Sequence, residues 1–403
     1  MLRWTWLLAA AVAVACTENT GPSSADPNDA AQLVQPELLV ATNLSFAQIS
    51  AGQDHSCGRT LNIGKLYCWG NNSSGQLGNA SLNNKKRPTA VSSALQFRWV
   101  SAGAGHTCAI TTDSKAYCWG ANGSGQLGDG TFTDRWTPKL VGGGHSWQQI
   151  EVGGSYSWSS FTCGLTTSGR VYCGGYNSSG QLGNGSADYY SYSWPTETSN
   201  VGVTYRQLSA GGYHACAVST ANVAYCWGEA SNGQTGNGGI FYEPTAVLGG
   251  LPFRNVSAGQ YHTCGTTTGS KAYCWGYGYY GALGNGTTTD RYSPRLVSET
   301  LSFSRIFASS THTCGLTTAK KAYCWGYNYS GQLGDGTTTR RLTPVAVKSG
   351  LLFSQLGTRG SHTCAVVATV GVGYCWGSNT SGQIGDATLT SPRLIPTRVA
   401  GAL

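Results

Sequence analysis

Short apolar or alternating runs, separated by glycine-rich turns, follow one another along this chain in a fixed order. The plainest copy reads F-S-R-I at 303–306, H-T-C-G-L at 312–316, A-Y-C-W at 322–325 and V-A-V at 345–347 after Pro344. Runs of this length with period-two alternation, bounded by Gly, Asn, Asp and Ser, predict strands rather than helices. The unit therefore predicts four strands, A to D. Proline at the start of D is tolerated because an edge strand, or a first strand residue, needs no ladder donor there.

The unit occurs seven times. Its A strands start at Phe46, Phe97, Trp147, Tyr205, Phe253, Phe303 and Phe353, and its D prolines are Pro88, Pro138, Pro195, Pro244, Pro294, Pro344 and Pro396. Fourteen of the 15 cysteines recur with it in pairs. They are Cys57 with Cys68, Cys108 with Cys118, Cys163 with Cys173, Cys216 with Cys226, Cys264 with Cys274, Cys314 with Cys324, and Cys364 with Cys375. Partners lie 10 or 11 positions apart, and successive pairs recur every 48 to 55 residues. A period of that size marks a propeller, solenoid or array. Seven four-stranded antiparallel sheets set radially predict an all-β, seven-bladed β-propeller, which leaves only short, protected edges. Residues 36–40, P-E-L-L-V, read as an extra D strand, so closure through a shared blade is an open alternative.

Composition supports this. With 58 glycines and only 10% charged residues, the chain fits a turn-rich β-protein, and its aromatics exclude disorder. The formal charge of +8 reflects scarce acids more than abundant bases, and the longest basic run is Lys85-Lys86-Arg87. A nucleic-acid binder would show a denser basic stripe, so no nucleic-acid partner is expected.

Residues 1–16 predict an export signal: Arg3 gives a positive start, and 7–15 is an apolar run too short to span a bilayer. The A-V-A-C stretch at 13–16 resembles a bacterial lipobox, which would make Cys16 the lipidated first residue; cleavage after Ala15 to leave a free thiol is the alternative. Residues 17–35 predict a solvated tether and 36–403 the propeller. The expected location is the cell envelope, lipid-anchored, or the secreted fraction. Export makes disulfides the expected fate of the paired cysteines. Turn signals such as T-D-S at 112–114 and T-G-S at 268–270 place a cysteine on each strand of a hairpin, within disulfide reach. Each such bond contributes roughly 2–3 kcal/mol. Zinc held by His-x-Cys is the rival, disfavoured because unit three has Phe161 in place of the histidine. No metal and no cofactor is expected.

The motifs A-G-x-x-H-T-C, Y-C-W-G and G-Q-L-G-[DN]-G-T resemble the regulator of chromosome condensation repeat family, over roughly residues 46–399. The resemblance implies a seven-bladed propeller, and the export signal read above would make the chain an exported bacterial member. Functions in that family range over guanine-nucleotide exchange on a small GTPase, ultraviolet sensing in plants and secreted inhibition of a β-lactamase. The residues before the repeat histidine are Gln53-Asp54, Ala104-Gly105, Gly212-Tyr213 and Gln260-Tyr261, which departs from the Trp and Arg of the photoreceptor. Exchange on a cytosolic GTPase conflicts with export. Fold does not name function, and a binding scaffold is the reading that remains, with the inhibitor as its nearest analogue.

Most repeated residues read as structural. His55, His106, His214, His262, His312 and His362 predict a shared hydrogen-bonding role. Trp69, Trp119, Trp227, Trp275, Trp325 and Trp376 predict packing between blades, with Gly174 in unit three. The steps at Asn79, Asp129, Asn184, Asn237, Asn285, Asp335 and Asp386 predict turn chemistry, since one acid per loop is too few for a calcium cage. There is no G-x-S-x-G, H-E-x-x-H or phosphate loop, and the chain is expected not to be an enzyme.

The exceptions carry the functional expectation. Ile150 and Cys163 lie 13 apart where the matching pair in the other units lies 8 apart, and the insert holds Tyr156 and Trp158. The longest C–D loop, also in unit three, holds Tyr189, Tyr190, Tyr192 and Trp194, and unit four adds Phe241 and Tyr242. Three residues before the D proline the remaining units carry Lys85, Arg135, Arg291, Arg341 and Arg393. Tyr277, Tyr279, Tyr280, Tyr327 and Tyr329 follow on the same rim and read mainly as gap-filling. In a meander the A–B and C–D connections share one face, which is therefore expected to be a basic arc interrupted by an aromatic sector. Exposed Tyr and Trp are frequent interface anchors. The expectation is a monomeric scaffold that binds a macromolecule, a protein first and a carbohydrate or cell-wall polymer second, with the arc steering an acidic partner.

Overall fold

A computed structural model describes residues 44–199 and 202–402. In it each repeat forms one four-stranded antiparallel meander in the order A-B-C-D. The A strands are Phe46–Ala51, Phe97–Ala102, Trp147–Gly153, Tyr205–Ala210, Phe253–Ala258, Phe303–Ala308 and Phe353–Thr358. They pack side by side around a central channel, blade seven against blade one included. Blade one takes its D strand (Lys85–Ala90) and blade seven its D strand (Arg393–Arg398) from its own repeat. Each described blade is thus contiguous in sequence, with no shared blade among them. Residues 36–40, Cys16 and the tether lie outside the described residues.

The cysteines are bonded as their spacing predicts, one disulfide per blade. Cys57 is joined to Cys68, Cys108 to Cys118, Cys163 to Cys173 and Cys216 to Cys226. Cys264 is joined to Cys274, Cys314 to Cys324 and Cys364 to Cys375. In every blade the two partners face each other directly across strands B and C. Disulfides in this number belong to an oxidising environment.

The H-T-C tripeptide explains how blades join. Alternate residues of a strand face opposite ways, so the histidine and cysteine point to the next blade and the threonine points to the previous one. Thr107 Oγ1 donates to the Gln76 carbonyl at 2.9 Å, and therefore accepts from His55 Nε2, 2.8 Å away. The same contact recurs at His106–Thr162, His214–Thr263, His262–Thr313 and His312–Thr363. His362 closes the ring on Ser56 at 2.8 Å. Burial in these seams pushes the imidazoles far down, to about 3 for His55, His106, His214 and His312 and about 4 for His262 and His362.

Two further devices hold the seams. The tryptophan of Y-C-W-G lies over the second glycine of the preceding G-Q-L-G, where a Cβ on Gly78 would fall 2.6 Å from Trp119 Nε1. Only glycine fits that approach, and its φ of 67° is one glycine adopts freely. On the channel side, Gln48, Gln149, Gln207 and Gln355 each clasp both backbone groups of one residue in the next A strand; Gln207 does so at 3.0 Å to each group of Val256. In the sequence these carboxamides look like ordinary polar alternation.

Candidate functional site

Blade three breaks the seam rules and builds the most irregular part of the A–B/C–D face. Its insert folds into a 3-10 turn, Ser157–Ser159. The turn is fixed to blade two, whose Gln126 and Ser124 side chains donate to the Ser157 and Trp158 carbonyls at 2.8 and 2.7 Å. Tyr156 and Trp158 then stack, with centroids 5.3 Å apart and planes 3° from parallel, and Trp158 is 63% exposed. A rigid aromatic pair held on a hydrogen-bonded turn can meet a partner at low ordering cost.

The other predicted aromatics divide by their contacts. Tyr189 and Tyr190 stand out at the rim, 90% and 78% exposed, and Phe241 is exposed beside Gly239. Three are engaged within the ring. Tyr192 donates to Asp188 at 2.8 Å. Tyr242 covers Gly180, where a Cβ would fall 2.3 Å from its ring. Trp194 covers Gly130 and Gly142 of blade two while keeping half its surface exposed. It flanks the seam where Gly174 stands for the repeat tryptophan, beside a small, partly open cleft lined by Leu127, Gly128, Gly174 and Pro195.

The tyrosines of blades five and six, which the sequence suggested were separate gap-fillers, touch one another. Tyr261 meets Tyr277, Tyr277 meets Tyr279 and Tyr280, Tyr280 meets Tyr327, and Tyr327 stacks on Tyr329. Burial, then Tyr213 and Tyr156 nearby, push the Tyr261 phenol up. Ser159 of the blade-three insert lies 3.4 Å from the Tyr213 hydroxyl. Tyr156 and Trp158 therefore belong with an aromatic arc around the channel mouth, from blade three to blade six. Tyr213 and Tyr261, in the A–B turns of blades four and five, link it and were not chosen from sequence.

The basic arc is corrected by its partners. Arg135 pairs with Asp129 at 2.8 Å, Arg341 with Asp335 at 2.9 Å, and Arg393 with Asp386. These aspartates also accept from Thr131, Thr337 and Thr388, which is the predicted turn chemistry. Burial opposes ionisation there, but the threonine and arginine hydrogen bonds outweigh it and lower the carboxyl pKa of Asp129 and Asp335. Blades one and five, which carry Lys85 and Arg291, have Asn79 and Asn285 at the aspartate position instead. Three of the five cations are thus neutralised within their own loops, and the arc is a bracing device before it is a steering field.

The channel holds charges that the sequence did not flag. Its cavity, about 420 Å³, is lined by the A strands and includes Glu151, Arg305 and Arg359. Arg359, in the blade-seven A–B turn, crosses to the opposite side and donates to the carbonyls of Val152 and Gly154 in blade three, the latter at 3.0 Å. Burial lowers its pKa to about 10, with Glu151 acting the other way. Burial raises the Glu151 carboxyl, opposed by hydrogen bonds from Gln149 and Ser101. Among the described residues no three His, Cys, Asp or Glu side chains converge as a metal site.

A ring of seven disulfide-stapled meanders with one loop-built aromatic face defines a repeat propeller. Models of the regulator of chromosome condensation (RCC1) repeat match residues 64–110, 168–218, 270–316 and 321–366, and a second form of it matches 46–76, 100–126, 205–234, 253–282 and 303–332. The chain belongs to that family. Among solved structures it is similar to human WBSCR16, with 21% identity, a TM-score of 0.73 and coverage of 81% of this chain and 88% of that one. It is also similar to Prp20p of Saccharomyces cerevisiae, a structure described with its binding to Gsp1p and histones, at 19% identity, TM-score 0.73 and 89% and 87% coverage. Yeast RCC1 (Prp20) with Kap60 bound matches at 18% identity, TM-score 0.72 and 97% and 91% coverage. At these identities the likeness is one of fold.

Proposed function

We propose that this chain is an exported, non-catalytic scaffold that binds a protein partner through its A–B/C–D face. The observation that carries the reading is the stacked, exposed Tyr156–Trp158 pair, mounted on a hydrogen-bonded turn at one end of the tyrosine arc. Tyr189, Tyr190 and Phe241 add exposed aromatic area on the same face. Fold relatives described as binding Gsp1p and histones, or with Kap60 bound, support a protein as the partner class. Within the family an inhibitor-like role suits an exported chain better than nucleotide exchange. Anchoring would be through lipid on Cys16, or the chain would be released.

A carbohydrate is the second reading, favoured by the exposed side of the stacked Tyr156–Trp158 pair, on which a sugar ring could pack. The experiment compares wild type with a triple variant carrying Trp158→Ala, Tyr189→Ala and Tyr190→Ala, in capture from cell-envelope and culture fractions and on purified glycans. A purified protein that binds wild type and not the variant supports the first reading. Glycan binding lost in the variant supports the second, and unchanged capture removes the site.

A further inference from the structure

The opposite face, made by the B–C turns and D–A connections, takes no part in the reading above. Its charge is one-sided. The B–C turns carry Lys65, Lys115, Arg170, Lys271, Lys320 and Lys321 against one acid, Asp113. Asp113 pairs with Lys115 and Glu197 with Arg170, which among the described residues leaves Lys65, Lys271, Lys320 and Lys321 free of carboxylates. Lys65, Lys320 and Lys321 are exposed. The protein's positive excess is therefore strong on this face, while three aspartates offset the arc on the other.

Four exposed aliphatic side chains lie among these lysines. The B–C turns of blades one and seven, which flank the ring closure, are one residue longer than the rest and apolar: T-L-N-I-G at 60–64 and A-T-V-G-V at 368–372. Leu61, Ile63, Val370 and Leu352 are 49%, 51%, 55% and 44% exposed. Backbone bonds gather their turns: Leu61 N to Ser45 O at 3.0 Å, Phe46 N to Gly371 O at 2.7 Å, and Ala368 N to Leu352 O at 2.9 Å. Leu44, the first described residue, precedes this junction, so the chain enters the ring on the same face.

We infer that this face rests on an anionic lipid bilayer, with the four aliphatic side chains entering the headgroup boundary and the lysines meeting phosphate. Apolar tips ringed by cations are what interfacial binding needs, since buried apolar area and attraction to anionic lipid act together. A soluble polyanion would use the lysines but gain nothing from Leu61, Ile63 or Val370, which can donate and accept no side-chain hydrogen bond. The placement directs the aromatic face away from the membrane, towards a partner. It does not depend on that partner's existing, nor on lipid at Cys16.

The test uses the full chain with vesicles of phosphatidylcholine alone and of equimolar phosphatidylcholine and phosphatidylglycerol. Hydrogen exchange is followed at 60–65 and 368–372, with the C–D loops as internal reference. Anionic vesicles should protect the two turns and leave the loops unchanged. Leu61→Ser, Ile63→Ser and Val370→Ser together should weaken partitioning by roughly ten-fold or more, and Lys320→Glu with Lys321→Glu should reduce the preference for phosphatidylglycerol. Both variants keep the leader, so a difference from wild type cannot come from it, and non-reducing peptide maps establish that they fold. Vesicle binding without protection of the turns overturns the inference, as does equal partitioning of the aliphatic variant. Heparin binding that survives the aliphatic substitutions, with no vesicle response, would make the face a polyanion site instead.

Discussion

Phe161 of blade three and Ala215 of blade four occupy the seam in which the histidine–hydroxyl contact is absent, and both halves of that contact are replaced together. Elsewhere a histidine meets a threonine or serine of the next blade. Here a phenyl ring and a methyl group share one buried cluster. Phe161→His alone would bury an imidazole with no hydroxyl to receive it, at a cost of about 1–3 kcal/mol. Adding Ala215→Thr supplies the acceptor and should recover much of the loss. Chemical denaturation of the two single variants and the double variant checks this. Additive effects would mean that the two positions are not coupled across the seam.

Acid should loosen the ring before it touches the carboxylates. Six seam histidines have folded pKa values of about 3 or 4, held down first by burial. Above about pH 6.5 both folded and unfolded chains hold them neutral, so they add no pH dependence. Below it the unfolded chain takes up protons and the folded chain does not, so stability falls with pH by about 1.4 kcal/mol per pH unit per histidine until the folded values are reached. Denaturation midpoints should therefore drop steadily from pH 7 to 4. Midpoints that are flat between pH 7 and 5 would contradict neutral, buried imidazoles.

The lowered carboxyls act in a lower window. Asp129 and Asp335 contribute stability above the unfolded carboxylate pKa of about 3.9, and that contribution is lost as pH falls through their depressed folded values. Asp335→Asn copies blades one and five, where asparagine serves the same turn. It should cost no more than about 1 kcal/mol, as expected for a part-exposed ion pair. A loss several times larger, by denaturation at neutral pH, would make the pair a principal brace.

Arg359 should govern the blade-three insert from across the channel. Arg359→Met removes two charge-assisted bonds, to Val152 and Gly154, and should cost about 2–3 kcal/mol. Hydrogen exchange at 153–161 should rise, while the C–D loops of blades five and six stay unchanged. A uniform rise around the ring would mean that the arginine stabilises the whole propeller rather than this turn.

What could be seen in the sequence followed the repeat. Strands, blade number and disulfide partners repeat every unit, so residues such as Cys314 and Trp325 announce their roles seven and six times over. The seam bonds were half visible. His312 signalled a structural role, but its partner Thr363 is a full repeat away and is fixed only when blades are set side by side. One signal was present and unused: aspartate at 129, 335 and 386 coincides with arginine at 135, 341 and 393, and asparagine with the remaining units. Arg359 gave no signal, because its partners lie 205 and 207 positions away and meet it only through ring closure. Trp194 looked like Tyr189 and Tyr190 in sequence. Only the fold places it over Gly130 and Gly142.

That difference selects the central measurement. Titration calorimetry of the purified captured partner would compare wild type with the variant carrying Trp158→Ala, Tyr189→Ala and Tyr190→Ala, leaving Trp194 and Tyr242 to hold the seams. The account predicts tight binding to the wild type and a loss of about a hundred-fold or more in the variant, the scale of a few anchor aromatics. Equal affinity for both proteins, with the variant's seven disulfides intact, would contradict a binding site on the aromatic face.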